Sequence, residues 1–185
     1  DIAWTLNPGQ FVSAGLGAIT TTGSWKLGGT NTSGVSWSLH PRVGYSLMNQ
    51  DWNISLESHY FYNFENDDTK YDSGDEFFFD ATVLKKLDSI HQGLQIGSIG
   101  YVREQVTSDE NNGTAYYGTT NGKARQIGLG VQVLKDFGRG LFVGLSWSKD
   151  IETKNAVSND GRFALNISVP VYMKHKPKPA NVPSE

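Results

Sequence analysis

Several things are missing from this chain, and each absence removes a class of explanation. It has no cysteine, so no disulfide framework and no thiolate chemistry. No stretch approaches the roughly 18 apolar residues that a membrane-spanning helix needs, and mean hydropathy is -0.42. Net charge is only -3 with no basic block, so nucleic-acid binding has no electrostatic footprint. No segment carries apolar residues at a helical period. The first residues, Asp1 to Leu6, contain neither a positive n-region nor an apolar h-region, so they are not a signal peptide. An exported protein of this kind is expected to have lost one, or to be represented here by a piece of a longer chain.

What is present is glycine (21 residues), aromatic residues (12%) and alternation. The clearest stretch is Ser36 to Asn63. Trp37, Leu39, Pro41, Val43, Tyr45 and Leu47 interleave with Ser36, Ser38, His40, Arg42, Gly44 and Ser46. After the break Met48 to Asp51, Trp52, Ile54, Leu56, Ser58, Tyr60 and Tyr62 interleave with Asn53, Ser55, Glu57, His59 and Phe61. A period of two predicts strands, and the short break makes the pair a hairpin.

The same pattern recurs at Ile2–Leu6, at Phe11 to about Thr20, from Phe77 to Leu87, from Leu94 to Gln105, from Ile127 to Val133, from Leu141 to Ser148, and from Phe163 to Val171. Pro41 and Pro170 each remove a ladder donor, which predicts a local bulge. Nine strands are thus expected. Short turns fall at 7–10, 48–51, 88–92 and 136–140, and long polar loops at 21–35, 64–76, 107–122 and 149–161. An up-and-down meander puts all the short turns at one end, as in outer-membrane barrels with short periplasmic turns and long outer loops.

That polarity predicts an all-β, antiparallel, up-and-down transmembrane β-barrel over residues 1–173, its apolar face on lipid and lipopolysaccharide and its polar face on a wet lumen. Nine strands starting outside and ending in the periplasm imply an intact barrel of ten or twelve strands, twelve being favoured, with this chain its C-terminal part. The proline-rich stretch 174–185 reads as a disordered periplasmic tail. A soluble barrel or sandwich would show the same alternation. Against it stand aromatic residues at both strand ends: Trp37, Tyr60 and Tyr62 at the loop end, Tyr45 and Trp52 at the turn end. Trp37 to Tyr45 spans ~26 Å at about 3.3 Å per residue, or ~20 Å after a tilt near 40°.

The polar face carries His40, Arg42, Glu57, His59, Asp80 and Arg103. Such a set can tune the selectivity of a passage or simply form cross-strand ion pairs that stiffen the wall, the latter being favoured. The acidic run Glu65, Asp67, Asp68, Asp72, Asp75 and Glu76 offers hard oxygen donors, with Asp72 and Asp75 as weak metal candidates. Its spacing does not match an EF-hand loop, so a solvated loop is expected, without regular buried structure and with no metal or other cofactor. Ser73-Gly74 suits a tight turn into the next strand. His40 or His59 with Glu57 and a strand serine could form a triad of a lipid-modifying hydrolase; no catalytic residue is assigned on so cheap a coincidence. Tyr116 and Tyr117 would serve an adhesive or structural barrel acting through its loops. His175 reads as solvated. Oligomeric state is not legible.

Phe64-Glu65-Asn66 followed by Tyr71-Asp72-Ser73-Gly74-Asp75-Glu76, then Gly100-Tyr101 with Gln105, Thr107 and Asp109, resemble a known family. Gly128-Leu129-Gly130 and Asn159-Asp160-Gly161 also fit its pattern. The chain is similar, from Trp4 to about Val171, to the MetA-type, phenol meta-pathway degradation-associated family of outer-membrane transporters. Thr21-Thr22-Gly23 replaces that family's usual Pro-Thr-Gly, and the proline-rich tail replaces its usual aromatic end. The resemblance implies a porin-like barrel for passive uptake of small hydrophobic or aromatic compounds.

Overall fold

Strands this rich in aromatic and β-branched residues on one side alone must pair into a two-faced sheet. The computed structural model describes residues 1–20, 36–67, 70–113 and 122–169. It contains β1 (Ile2–Asn7), β2 (Gln10–Ile19), β3 (Ser38–Met48), β4 (Trp52–Asn63), β5 (Tyr71–Asp72), β6 (Glu76–Lys86), β7 (Leu94–Gln105), β8 (Glu110–Asn111), β9 (Arg125–Asp136), β10 (Phe142–Lys154) and β11 (Arg162–Ser168).

Nine of these form one antiparallel sheet in the order β1-β2-β3-β4-β6-β7-β9-β10-β11, and β5 pairs with β8 as a separate two-stranded ribbon. The expected nine-strand meander is therefore present, and among the described residues there is no helix. The sheet is open: β1 and β11 each have one strand neighbour. Loop 21–35, Asp68, Tyr116, Tyr117, Pro170, His175 and the tail, for which the sequence raised expectations, lie outside the described residues.

Three sequence expectations need correction. At Pro41 there is no bulge. The β3–β4 ladder runs Ser38↔Asn63 and Leu39↔Tyr62, skips two positions, and resumes at Arg42↔His59 in the same register. The His40 ring packs 4.3 Å from that of Phe61 across the gap, so side-chain contact bridges the missing pairs. The stretch 149–161 is not all loop, because β10 continues to Lys154. A register shift between Asp150 and Glu152 lets the ladder with β9 go on to Arg125; a bulge of this kind absorbs one extra residue.

The acidic stretch 64–76, finally, is ordered and partly buried: it contains β5, and Asn66, Tyr71 and Asp75 are all buried. Its polar groups are satisfied from neighbouring strand ends and loops. Asp75 accepts from the Tyr60 hydroxyl at 2.7 Å and from Asn63 N at 3.0 Å, while its own N–H donates to Thr107 Oγ1 at 2.6 Å. Tyr71 donates to Asp109 Oδ2 at 2.7 Å. Gln105 Nε2 donates to Asp109 Oδ1 at 2.5 Å and to Ser73 O at 3.2 Å.

The turn expected at Ser73-Gly74 is there. Gly74 has φ +67, and a Cβ would meet Thr107 O at 2.6 Å, so only glycine fits. Asp72 Oδ1 accepts from Gly74 N at 2.9 Å, closing an Asx turn. Asp72 and Asp75, the weak metal candidates, therefore spend their carboxylates on loop hydrogen bonds. No group of three or more metal-ligating side chains is assembled among the described residues.

Replacing Asp75 by alanine removes two accepted bonds and strands the Tyr60 hydroxyl. Urea or thermal unfolding should show a loss of about 1–3 kcal/mol, and Tyr60→Phe a smaller one. No change in either variant would mean that this junction contributes nothing to stability.

Candidate functional site

Register decides which side chains share a face, and it gathers all six expected lumen residues on one. Arg42 lies opposite His59 and Glu57 opposite Asp80. Arg103 lies opposite Phe78, which itself lies opposite His59. The ion pairs, however, form largely with residues outside that set. Arg42 pairs with Asp1, its Nε donating to Oδ1 at 2.9 Å. Arg103 pairs with Glu76 at 2.5 and 3.2 Å and donates to Gln126 Oε1 at 3.3 Å. Only His59 and Glu57, 3.4 Å apart on one strand, pair within the set.

The same face carries an aromatic row that charge-based reading passes over. The Phe61 ring lies 4.3 Å from His40, 6.3 Å from His59 and 5.0 Å from Phe78. Arg103 sits 5.6 Å from the centroid of Phe78, within cation–π range. Polar and π surface thus run side by side across β3, β4, β6 and β7.

At the loop end of β10 a second hub forms around Asp150, only 7% exposed. Its carboxylate accepts from the Tyr101 hydroxyl. It also accepts from Gln126 Nε2 at 3.1 Å, Thr153 Oγ1 at 3.1 Å and Asn159 N at 2.8 Å. Four donors on one buried carboxylate satisfy a group that would otherwise be costly to bury. Asn159 Nδ2 in turn donates to the Tyr101 oxygen at 3.1 Å, and Gln126 Nε2 also donates to Val157 O at 2.8 Å.

The 155–161 connection is thereby tied down onto the polar face. Tyr101 reaches Asp150 because its ring lies across Gly128, where a Cβ would come within 2.0 Å of the ring carbon Cζ. Below the connection is a cavity of about 570 Å³ lined by Phe78, Asp80, Tyr101, Arg103, Val157 and Arg162, among others.

The opposite face is apolar between two charged rims. Along β9, Ile127, Leu129, Val131 and Val133 run from Arg125 to Lys135, ten positions apart. Arg125 Nε lies 3.5 Å from both Glu104 and Glu152. At the turn end Lys85 pairs with Asp51 at 3.0 Å and stacks on Trp52 at 4.9 Å. Trp37, Tyr62 and Trp52 are exposed on this face, while Tyr45 and Tyr60 are half-buried. Tyr62 packs edge-on to Phe64 at 5.0 Å. Lys149, opposite Leu129, is the charge that reaches furthest into the apolar band; its four-carbon stem can carry the ammonium toward a rim.

Gly128→Val should drive the Tyr101 ring off β9 and cost about 1–3 kcal/mol by overpacking. Combined with Asp150→Asn it should cost less than the sum of the two, because both act through one hydrogen bond. Unfolding of the two single variants and the double variant measures this, and simple additivity would break the link.

The two hubs are built from the residues that carry the family pattern: Tyr71 through Asp75 with Gln105, Thr107 and Asp109 in one, and Tyr101, Gly128 and Asn159 in the other. No curated protein and no solved structure matches the chain. A family profile described as "Putative MetA-pathway of phenol degradation" matches residues 2–167. The chain belongs to this family.

Proposed function

We propose that the sheet is the wall of a transmembrane β-barrel in the bacterial outer membrane and serves as a passive channel for small hydrophobic or aromatic compounds. The observation that carries this is the height of the apolar face. Ten positions between Arg125 and Lys135 span ~33 Å at about 3.3 Å per residue. At a tilt near 40° that is ~25 Å, the height of a lipid-facing band.

A row of exposed Leu129, Val131, Leu145, Phe163 and Leu165 across β9, β10 and β11 needs an apolar partner, and acyl chains with lipopolysaccharide above them supply one. In a bilayer every strand edge must be paired, so the proposal includes closure of the wall through β1 and β11. The polar face then lines the passage. Its charges keep it wet, and the row His40, Phe61, Phe78 gives an apolar solute a surface to follow. Movement is by diffusion, without a cofactor.

Liposomes containing the intact protein should pass small aromatic solutes faster than empty ones. No flux of any small aromatic or aliphatic compound would sink the transport claim. Val131→Arg should destabilise the reconstituted protein by about 2–4 kcal/mol, the cost of a charge near the bilayer midplane. Gln132→Arg, on the other face of the same strand, should be tolerated. Equal effects of the two would contradict a lipid-facing assignment.

A further inference from the structure

The cavity under the 155–161 connection is of ligand size, about 570 Å³, where small-molecule sites run from roughly 300 to 1,000 Å³. Most of its polar wall is already spoken for. Of the lining residues, Tyr101, Gln126 and Asn159 are committed to Asp150, and Arg103 is committed to Glu76 and Gln126. Two charged side chains that line it, Asp80 and Arg162, make no ion pair or hydrogen bond among the described residues.

Asp80 sits exposed on β6 beside the like-charged Glu57, so its carboxylate is open to a donor from solution. Arg162 opens β11, exposed, on the far side of the Tyr101–Asp150 hub, so its guanidinium is open to an acceptor from solution. Phe78 and Val157 line it as well, Val157 being 90% exposed despite being apolar.

We propose that this cavity is a binding site for a small aromatic carboxylate that carries a ring hydrogen-bond donor. The carboxylate faces Arg162, whose planar fork suits two parallel bonds. The ring lies against Phe78 and Val157, and the ring hydroxyl donates to Asp80. The Asp150 hub contributes rigidity: by fixing Val157 and Asn159 on the wall it sets the roof of the site before a ligand arrives. The site lies in the passage of the proposed channel and rests on that reading for its role as a way-station of transport. Its existence as a binding site does not need flux.

The experiment is equilibrium binding to the purified protein in detergent, followed by tryptophan fluorescence or titration calorimetry, with 4-hydroxybenzoate, benzoate, phenol and toluene as probes. 4-Hydroxybenzoate should bind at least roughly tenfold more tightly than phenol or toluene. Arg162→Gln should erase that preference, and Arg162→Lys should restore part of it. Asp80→Asn should weaken 4-hydroxybenzoate while leaving benzoate unchanged. The inference is overturned if all four probes bind alike, if none binds, or if correctly folded Arg162→Gln binds 4-hydroxybenzoate as before. Liposome flux separates the two claims. Flux without selective binding removes the site and leaves the channel; selective binding without flux keeps the site and removes the channel.

Discussion

Antiparallel pairing in one continuous register, from Ser38 on β3 to Asp136 on β9, is the constraint on which everything else depends. Because side chains alternate with a period of two, a slip of one residue would turn every apolar side chain to the polar side. The apolar band from Ile127 to Val133 and the row His40, Phe61, Phe78, Arg103 are opposite faces of that one register. Where the register does shift, between Asp150 and Glu152, the extra residue lets Asp150 and Thr153 both face the polar side, and the most heavily bonded carboxylate in the sheet sits there.

Two buried carboxylates divide the work at the loop end. Asp75 joins the strand end at Tyr60 and Asn63 to the 106–113 stretch through Thr107. Asp150 ties the 155–161 connection to β7 and β9 through Tyr101 and Gln126. Each is surrounded by neutral donors rather than by a cation, and a buried carboxylate held this way is expensive only if a donor is removed. The residues that carry the family pattern are therefore largely structural: they decide where the long connections lie against the sheet. Asp80 and Arg162, which make no ion pair or hydrogen bond among the described residues, line the cavity beside the Asp150 hub.

How much of this was legible without coordinates depends on range. The six polar-face residues, His40 through Arg103, could be assigned to one side from alternation, since facing depends only on local parity. The aromatic row on that side could also have been found, because Phe61 and Phe78 share parity with His59 and Asp80; attention to charge hid it. Asp150 shares parity with Ser146 and Ser148, yet the polar stretch after it reads as loop, so its place in β10 was missed. The acidic segment was misread for a related reason. Its charge argues for solvation when taken alone, and its partners Thr107, Asp109 and Gln105 are more than 25 residues away.

The sequence by itself determined the strand meander, the two faces and the alternation of short and long connections, because these follow from backbone alternation and turn chemistry within a few residues. Only the tertiary structure decided which carboxylates are occupied and which are free, and that the 155–161 connection folds onto the polar face. Those outcomes rest on hydrogen bonds between residues tens of positions apart, such as Tyr101 with Asp150, and no local period records them.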